Sequence, residues 1–292
     1  MSGLVAVVAN PVKVADLAAL EAAVAEHLAG AQVRWWQTTE DDPGAGQARA
    51  AVAAGAELVL VCGGDGTVAS CAGVLAGTGV AMAIVPSGTG NLLARNLDIP
   101  LPLDKSLAIA FGTSERRLDV LDAGDQQFMV MAGLGFDAAL IRDTDESLKA
   151  KLGWLAYLGG LVRAIRGRRR TEYSIAMDDR PAVRKRGVGV LVANVGKLQG
   201  GITLLPAAEP DDGQLDVIVL APRTVVDWPV LVGRILRRRP AAGKQADTMV
   251  GNRVRITTEV ALPVEFDGDF CGERAELSVG VLPGALILRC PC

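Results

Sequence analysis

The chain has 292 residues, half of them apolar, with 30 basic and 33 acidic side chains and a formal charge of −3. That length suits two domains and that apolar share supplies packed cores, which excludes a disordered chain, while the near-neutral charge gives no electrostatic reason for a nucleic-acid partner. The only histidine, His27, excludes a His-rich metal centre and leaves Ser-His-Asp or Cys-His chemistry one poor candidate, because it falls among Leu17, Leu20, Val24 and Leu28 as a surface residue of a helix.

A valine-rich run, Leu4–Ala9, is predicted as the first strand. It follows the N-terminus directly, with no basic segment and no cleavage site, so no secretory signal is read there. Asn10-Pro11 breaks it. A helix is expected over Asp16–Ala29 with Gly30 as its stop, then a strand over Val33–Gln37 ending in Thr38-Thr39, and an alanine-rich helix over Gly46–Ala54. Glu57–Cys62 is a third strand, followed by Gly63-Gly64-Asp65-Gly66-Thr67 and a helix. Val80–Val85 is a fourth, followed by Pro86-Ser87-Gly88-Thr89-Gly90-Asn91 and a helix through Leu92–Asn96. The uncharged run Gly66–Ala94 is long enough to span a bilayer, but six glycines and Pro86 make it helix, turn and strand instead. Cys62 and Cys71 lie in apolar runs as small buried residues, and five cysteines without metal-type pairing beyond Cys290 and Cys292 fit a reducing, cytoplasmic setting.

Repeated β-α units with continuously apolar strands imply a parallel sheet with helices on both faces. Every loop that follows a strand then emerges at the carboxyl edge, where open α/β sheets bind ligands. Asn10, Thr39, the Gly63–Thr67 loop and the Ser87–Asn91 loop are therefore expected to converge.

From about Leu118 the pattern changes to short alternating runs: Phe128–Met131, Tyr173–Met177, Val188–Ala193, Leu215–Leu220, Arg253–Thr257, Val264–Phe266 and Ala275–Val279, separated by turns such as Asp211-Asp212-Gly213. This predicts an antiparallel β-domain over residues 118–283 with two helices, Ser147–Arg166 and Val225–Arg238. It follows an α/β domain over residues 1–117, to which a last strand, Ala285–Arg289 within residues 284–292, returns.

The Gly63–Thr67 loop carries the strongest chemical signal. Glycines after a buried strand let backbone N–H groups approach an anion, and the helix that follows adds a favourable dipole. Asp65 would repel a bare phosphate, so it points to a metal-bound phosphate or a proton acceptor; a tight turn with an Asp cap explains the loop equally well. The second loop, with Gly88, Thr89, Gly90 and Asn91, repeats the same design beside the first and favours a phosphate site. GxxxxGK[ST] is absent and no lysine lies within either loop, so phosphate charge is left to backbone dipoles, Mg2+ and Arg95. The segment Leu152–Arg170 reads as a helix with Trp154 and Tyr157 near its start and arginines at its end. It suits either packing on the β-domain or docking on an anionic membrane, as does Arg237-Arg238-Arg239.

"VCGGDGTVASCAGVL", "AIVPSGTGNLLARNLDIP", "AGLGFDA", "PDDGQLDVIVL" and "VEFDGD" resemble, in order and spacing, the diacylglycerol kinase catalytic family, which includes bacterial lipid kinases and sphingosine kinases. The resemblance covers essentially the whole chain. It implies an α/β nucleotide domain with a parallel sheet like that of NAD kinases, a C-terminal antiparallel β-sandwich, and an active site in the cleft between them. It implies ATP- and Mg2+-dependent phosphorylation of a lipid hydroxyl, at a membrane surface met peripherally by a cytoplasmic protein whose oligomeric state stays open. Gly63, Gly64, Asp65, Gly66 and Thr67 match the ATP-phosphate loop, Thr89 the threonine of the GTGN loop, and Asn10 and Thr39 positions lining the nucleotide site. Asp267 falls on the acid taken as general base, against the alternative of a plain Asp-Gly turn. Asp65 and Asp119 match acids linked through water and Mg2+, and Asp212 matches a structural metal site completed by carbonyls near Glu209 and Gln214. Two departures stand out: Asn10-Pro11-Val12-Lys13 replaces a glycine-rich turn, and Leu92 stands where Asp often follows GTGN. An NAD kinase, which shares only the first glycine loop, and a non-catalytic lipid- or nucleotide-binding regulator are the competing readings.

Overall fold

The computed structural model describes residues 3–28, 30–135, 170–198, 203–222 and 246–291, with the single positions 227 and 233. The chain forms two units, residues 1–120 with 283–292 and residues 121–282.

In the first unit the elements run β1 (Leu4–Ala9), α1 (Leu17–His27), β2 (Gln32–Gln37), α2 (Ala45–Ala53), β3 (Ala56–Gly63), α3 (Asp65–Leu75), β4 (Ala81–Pro86), α4 (Leu92–Asn96), α5 (Leu103–Ala110) and β5 (Glu115–Asp122). Strands β4, β3, β1 and β2 lie side by side and all pair in parallel. Every residue of β1 and β4 is buried, as expected of strands covered on both faces, whereas β2 at the sheet's end alternates and leaves Arg34 exposed. Leu20 and Val24 of α1 and Leu107 of α5 pack with Val5, Val7, Leu58 and Leu60 in one core. His27 lies on the exposed face of α1 with its ring 5.8 Å from that of Phe111.

The second unit holds β6 (Gln127–Phe128), β7 (Met131–Leu134), β8 (Thr171–Met177), β9 (Val183–Gly187), β10 (Gly189–Ala193), β11 (Leu215–Leu220), β12 (Ala246–Gly251), β13 (Arg253–Phe266) and most of β14 (Asp269–Arg289). Its pairings are antiparallel: β12 with β11, β11 with β10, β10 with β7, β7 with β13 and β13 with β14, while β8 joins β13 and β9 joins β8. In β8 the buried residues alternate, Tyr173, Ile175 and Met177, so one face meets a core that includes Phe128, Val192, Val217 and Phe266.

Several elements differ from the sequence expectation. The runs Arg253–Thr257 and Val264–Phe266 belong to one strand of 14 residues, whose register shifts on either side of Pro263 let a proline sit within it. Ala275–Val279 and Ala285–Arg289 likewise belong to the 21-residue β14, and its end returns to the first unit, pairing in parallel with β4 through Ile287 and Leu288. The return is fixed by Asp119, a fully buried carboxylate that accepts the Gly284 N–H at 2.7 Å where the backbone passes through φ +57°. The helices expected over Ser147–Arg166 and Val225–Arg238, apart from the single positions 227 and 233, and the basic cluster 237–239 lie outside the described residues. Among the described residues no helix is long and apolar enough to cross a membrane.

Asp216 on β11 is buried among apolar neighbours, and burial, reinforced by the charge of Asp212, pushes its carboxyl up to about 6. A raised folded value means that the protonated acid is the form the fold favours. The contribution is complete below the ordinary carboxylate range and is lost as pH rises through 6. In chelator, the urea midpoint of Asp216→Asn is therefore expected to gain on that of the native chain between pH 4.5 and 7.5, by the equivalent of about 1 kcal/mol after solvent screening. Parallel pH profiles for the two proteins would contradict this.

Candidate active site

Three loops leave the carboxyl edge of the first unit's sheet and meet. After β1, the Asn10 N–H donates to the Cys62 carbonyl at 2.8 Å, and after β4 the Ser87 N–H donates to the Gly63 carbonyl at 2.9 Å, so each loop is held to its neighbour at its root. The Asn10 side chain works in two directions. Its Oδ1 accepts the N–H groups of Val12 and Lys13, closing a turn, and its Nδ2 donates to Thr67 Oγ1 at 3.2 Å. Together the loops line a cleft of about 310 Å3 formed by Asn10, Lys13, Pro43, Gly64, Asp65, Gly66, Thr67, Gly88, Thr89 and Gly90. Helix α3 begins at Asp65, so the N–H groups of Gly66 and Thr67 belong to its first turn, which has no intrahelical acceptors, and these face the positive end of the helix dipole.

Glycine is required where the two loops touch. A Cβ on Gly88 would lie 2.6 Å from the Gly64 Cα and 3.0 Å from Asn91 Oδ1, a backbone contact that no rotamer relieves. Asp65 then ties the loops together: its carboxylate accepts the N–H groups of Asn91 at 2.8 Å and Leu92 at 2.5 Å, across 26 and 27 residues of chain. Asn91 adopts the left-handed conformation (φ +48°), with Oδ1 accepting the Gly88 N–H and Nδ2 donating to the Gly88 carbonyl. Burial pushes the Asp65 carboxyl up, against the pull of the Leu92 and Asn91 N–H groups and of Arg95. Arg95 itself donates through Nε to the Gly90 carbonyl at 2.9 Å, so this arginine braces the loop.

Most of the residues singled out in the first unit therefore gather at one place, in two roles. Asn10, Gly64, Asp65, Gly66, Thr67, Gly88, Thr89 and Gly90 line the cleft, whereas Gly63 and Asn91 support it from behind. Thr39 does not line it. Its hydroxyl accepts the Asp42 N–H at 3.1 Å in the exposed turn that brings Pro43 to the cleft wall. Lys13 and Pro43 are the lining residues that sequence reasoning passed over; the signal for Lys13 was its place at the end of the turn that Asn10 closes. Cys71 lies behind the site, its thiol pushed by burial up to about 12, and Cys62 is pushed higher still, so neither is a nucleophile at neutral pH.

In the second unit, Asp267 and Gly268 are the two central residues of the β13–β14 hairpin, both with positive φ (+49° and +95°), between the paired Phe266 and Asp269. The Asp267 carboxylate is heavily used. Oδ1 accepts the N–H groups of Val130 and Met131, both at 2.9 Å, and Oδ2 accepts that of Met129 at 3.0 Å, while the Asp267 N–H donates to the Met131 carbonyl. These bonds explain why the run expected over Phe128–Met131 is split between β6 and β7. Asn194 grips the same segment from its carbonyls, with Nδ2 donating to Met129 O and its N–H to Val130 O. Asp269, by contrast, is exposed, and among the described residues its carboxylate accepts no hydrogen bond and forms no ion pair. Arg274 lies over the Phe266 ring at 5.4 Å and holds Asp125 through two bonds of 2.9 and 2.8 Å, buttressing the hairpin.

The acids expected around metals fall at three places: Asp65 in the cleft, Asp119 on β5, and Asp212 in an exposed turn. Asp212 is exposed in its turn, with Oδ1 on the Gln214 N–H and Oδ2 toward Gln214 Nε2, and Glu209 and Gln214 are exposed beside it. Asp119 is committed to Gly284. Among the described residues no three His, Cys, Asp or Glu side chains are grouped so as to hold a metal ion. The donor set of the cleft thus does not suit a resident, all-protein metal cage. A hard divalent cation there would need oxygen ligands from water or a bound ligand.

Residues 5–123 match the family described as "Diacylglycerol kinase catalytic domain", and residues 130–290 match the "YegS C-terminal NAD kinase beta sandwich-like domain". The chain is 31% identical over 280 residues to a "Probable lipid kinase YegS-like" of Chromohalobacter salexigens, covering 91% of this chain and 85% of that one. It is 33% identical over 281 residues to a protein of the same description in Pseudomonas aeruginosa, covering 92% and 88%. The crystal structure of a "putative diacylglycerol kinase" of Bacillus anthracis superposes with a TM-score of 0.80 at 25% identity, over 99% of this chain and 95% of that one. An NAD kinase of Archaeoglobus fulgidus in complex with ATP shares the fold, with a TM-score of 0.55 at 12% identity over 99% and 93%. With a parallel α/β unit carrying the glycine loops and an antiparallel β-sandwich unit carrying the Asp-Gly hairpin, the chain belongs to the diacylglycerol kinase family of lipid kinases, in its YegS-like group.

Proposed function

We propose that this protein transfers the γ-phosphoryl group of ATP to the hydroxyl of a lipid, diacylglycerol or a related alcohol, with Mg2+ as the accompanying ion. The observation that carries the reading is the cleft in which two glycine loops, touching backbone to backbone at Gly64 and Gly88, present the first turn of α3. Phosphoryl transfer asks little covalent chemistry of a protein and depends on positioning and charge stabilisation. Cross-linked loops that cannot drift apart meet that demand. Bound with the triphosphate, Mg2+ would supply the charge neutralisation that backbone dipoles alone do not. Asp65 acts chiefly by fixing the geometry of both loops, with Thr67 and Thr89 offering hydroxyls in the cleft.

A lipid hydroxyl carries its proton at neutral pH, so transfer to it benefits from a carboxylate that accepts that proton, typically by 10²–10⁴-fold. The β13–β14 hairpin supplies two. Asp267, the residue expected in this role, has spent three acceptor sites on backbone N–H groups, which suits an anchor of the turn. Asp269, two residues on and exposed, has its acceptor sites available, and we assign it the proton. A protein acting on a lipid must meet it at a membrane surface, and peripheral contact from the cytoplasmic side is part of this reading.

Incubating the pure protein with labelled ATP, Mg2+ and a panel of lipid alcohols, with NAD as a soluble acceptor, should yield Mg2+-dependent phospholipid and no phosphorylated NAD. A folded protein that labels no lipid would remove the proposal, and one that labels NAD would replace it. Asp269→Asn should lower kcat by about 10²–10⁴-fold with an unchanged Tm. Asp267→Asn should lower Tm by several degrees, because its amide turns an N–H toward N–H donors. Should Asp267→Asn instead lose kcat with Tm intact while Asp269→Asn turns over normally, Asp267 is the base.

A further inference from the structure

We propose that Lys13 is the cation of the phosphate cleft: its ammonium group binds the terminal phosphates of the nucleotide and gives the cleft its preference for a triphosphate. The inference rests on the functional reading above and adds a residue and a selectivity to it. Its starting point is a charge count. Among the described residues that line the cleft, Asp65 is the only anion and Lys13 the only cation. A triphosphate brought to backbone amides and the half-buried Asp65 carboxylate meets one repulsive charge at close range, which a cation of the protein would offset alongside Mg2+. Arg95 lies nearby, but its guanidinium is bound to the Gly90 carbonyl and its residue is not among those lining the cleft. Lys13 makes no ion pair among the described residues, so its charge is uncommitted.

The root of the side chain is held. The N–H of Lys13 meets both the carbonyl and the Oδ1 of Asn10, the Val14 N–H also donates to that carbonyl, and Asn10 in turn donates to Thr67 at the start of α3. Backbone position is therefore set by the phosphate loop itself, while the flexible stem leaves the ammonium free to follow its ligand. Val12, its neighbour, is 86% exposed and does not line the cleft, whereas Lys13, also exposed, does. A turn of this kind does with a side chain what a glycine-rich loop would do with backbone N–H groups.

Calorimetric titration with ATP, AMP and adenosine, at low and at high salt, decides the matter. A charge-assisted contact of this sort is worth about tenfold or somewhat more in affinity. Lys13→Ala should thus bind ATP about tenfold more weakly at low salt, with adenosine affinity unchanged and AMP intermediate. Lys13→Arg should recover most of the loss, and added salt should narrow the gap between native and Ala proteins. Native affinity for ATP in Lys13→Ala, or an equal loss for adenosine, would overturn the proposal while leaving the kinase reading intact. A native protein that binds no ATP would overturn both.

Discussion

The first unit turns on a single carboxylate. Asp65 belongs to the loop after β3, yet its hydrogen bonds go to Asn91 and Leu92 in the loop after β4. Without it, two glycine-rich segments would be held together only by the contact of Gly64 with Gly88, and glycine segments are the least able to hold a shape unaided. Burying an acid is costly, and the upward push on its carboxyl records that cost. Two short N–H bonds offset it. The result is a pair of loops joined across 26 and 27 residues, with Gly66 and Thr67 of the first turn of α3 lining the cleft. For the proposed phosphoryl transfer, which depends on positioning, Asp65 would contribute by geometry.

The same device recurs. Asp267 binds three successive N–H groups of Met129, Val130 and Met131, Asp119 binds that of Gly284, and Asp178 binds those of Asn252 and Arg253. Each joins segments distant in sequence, and Asp178 and Asp267 do so where a ladder of the sheet ends. Two of these acids, Asp178 and Asp267, adopt positive φ themselves, and the hydrogen bonds hold a conformation that a side chain disfavours. Aspartate suits this work because its short side chain reaches neighbouring amides and accepts several at once. Asp65, Asp119, Asp178 and Asp267 are thus fasteners, whereas the exposed Asp269 carries no such duty among the described residues.

That distinction marks what could be read from the sequence. The parallel strands β1, β3 and β4 were legible because continuous burial writes continuous apolar runs, and their loops had to share an edge by the topology of β-α-β units. The grouping of Asn10, the Gly63–Thr67 loop and the Gly88–Gly90 loop followed from that alone. Elements whose residues are dictated by their neighbours were not legible. Strand β9 reads Val-Arg-Lys-Arg-Gly and forms by pairing with β8 at an edge, where charged side chains face solvent. Helix α5, eight residues behind Pro102, and β12 carry too little periodicity to stand out. Strands β13 and β14 were read in pieces, since Pro263, Pro283 and the glycines of β14 are ordinarily breaks, and register shifts that tolerate them exist only in the paired sheet. The roles of Asp65, Asp267 and Asp119 were hidden for a similar reason: their partners lie 26 to 165 residues away.

Thr39 and Lys13 show the same limit from opposite sides. Both sit in loops at the carboxyl edge, and the topology placed both near the cleft. Thr39 faces its own turn because its hydroxyl caps Asp42, which leaves Pro43 to reach the wall. Lys13 reaches the wall because Asn10 draws its backbone inward. Topology brings a loop to a site, but one local hydrogen bond decides which of its residues looks in. In a cleft built almost wholly from neutral backbone, that choice also decides the sign of the field. Moving one ammonium group to or from the wall changes the net charge of the lining residues between zero and minus one, so under the proposal for Lys13 the short turn after β1 tunes how strongly a polyanion is drawn there.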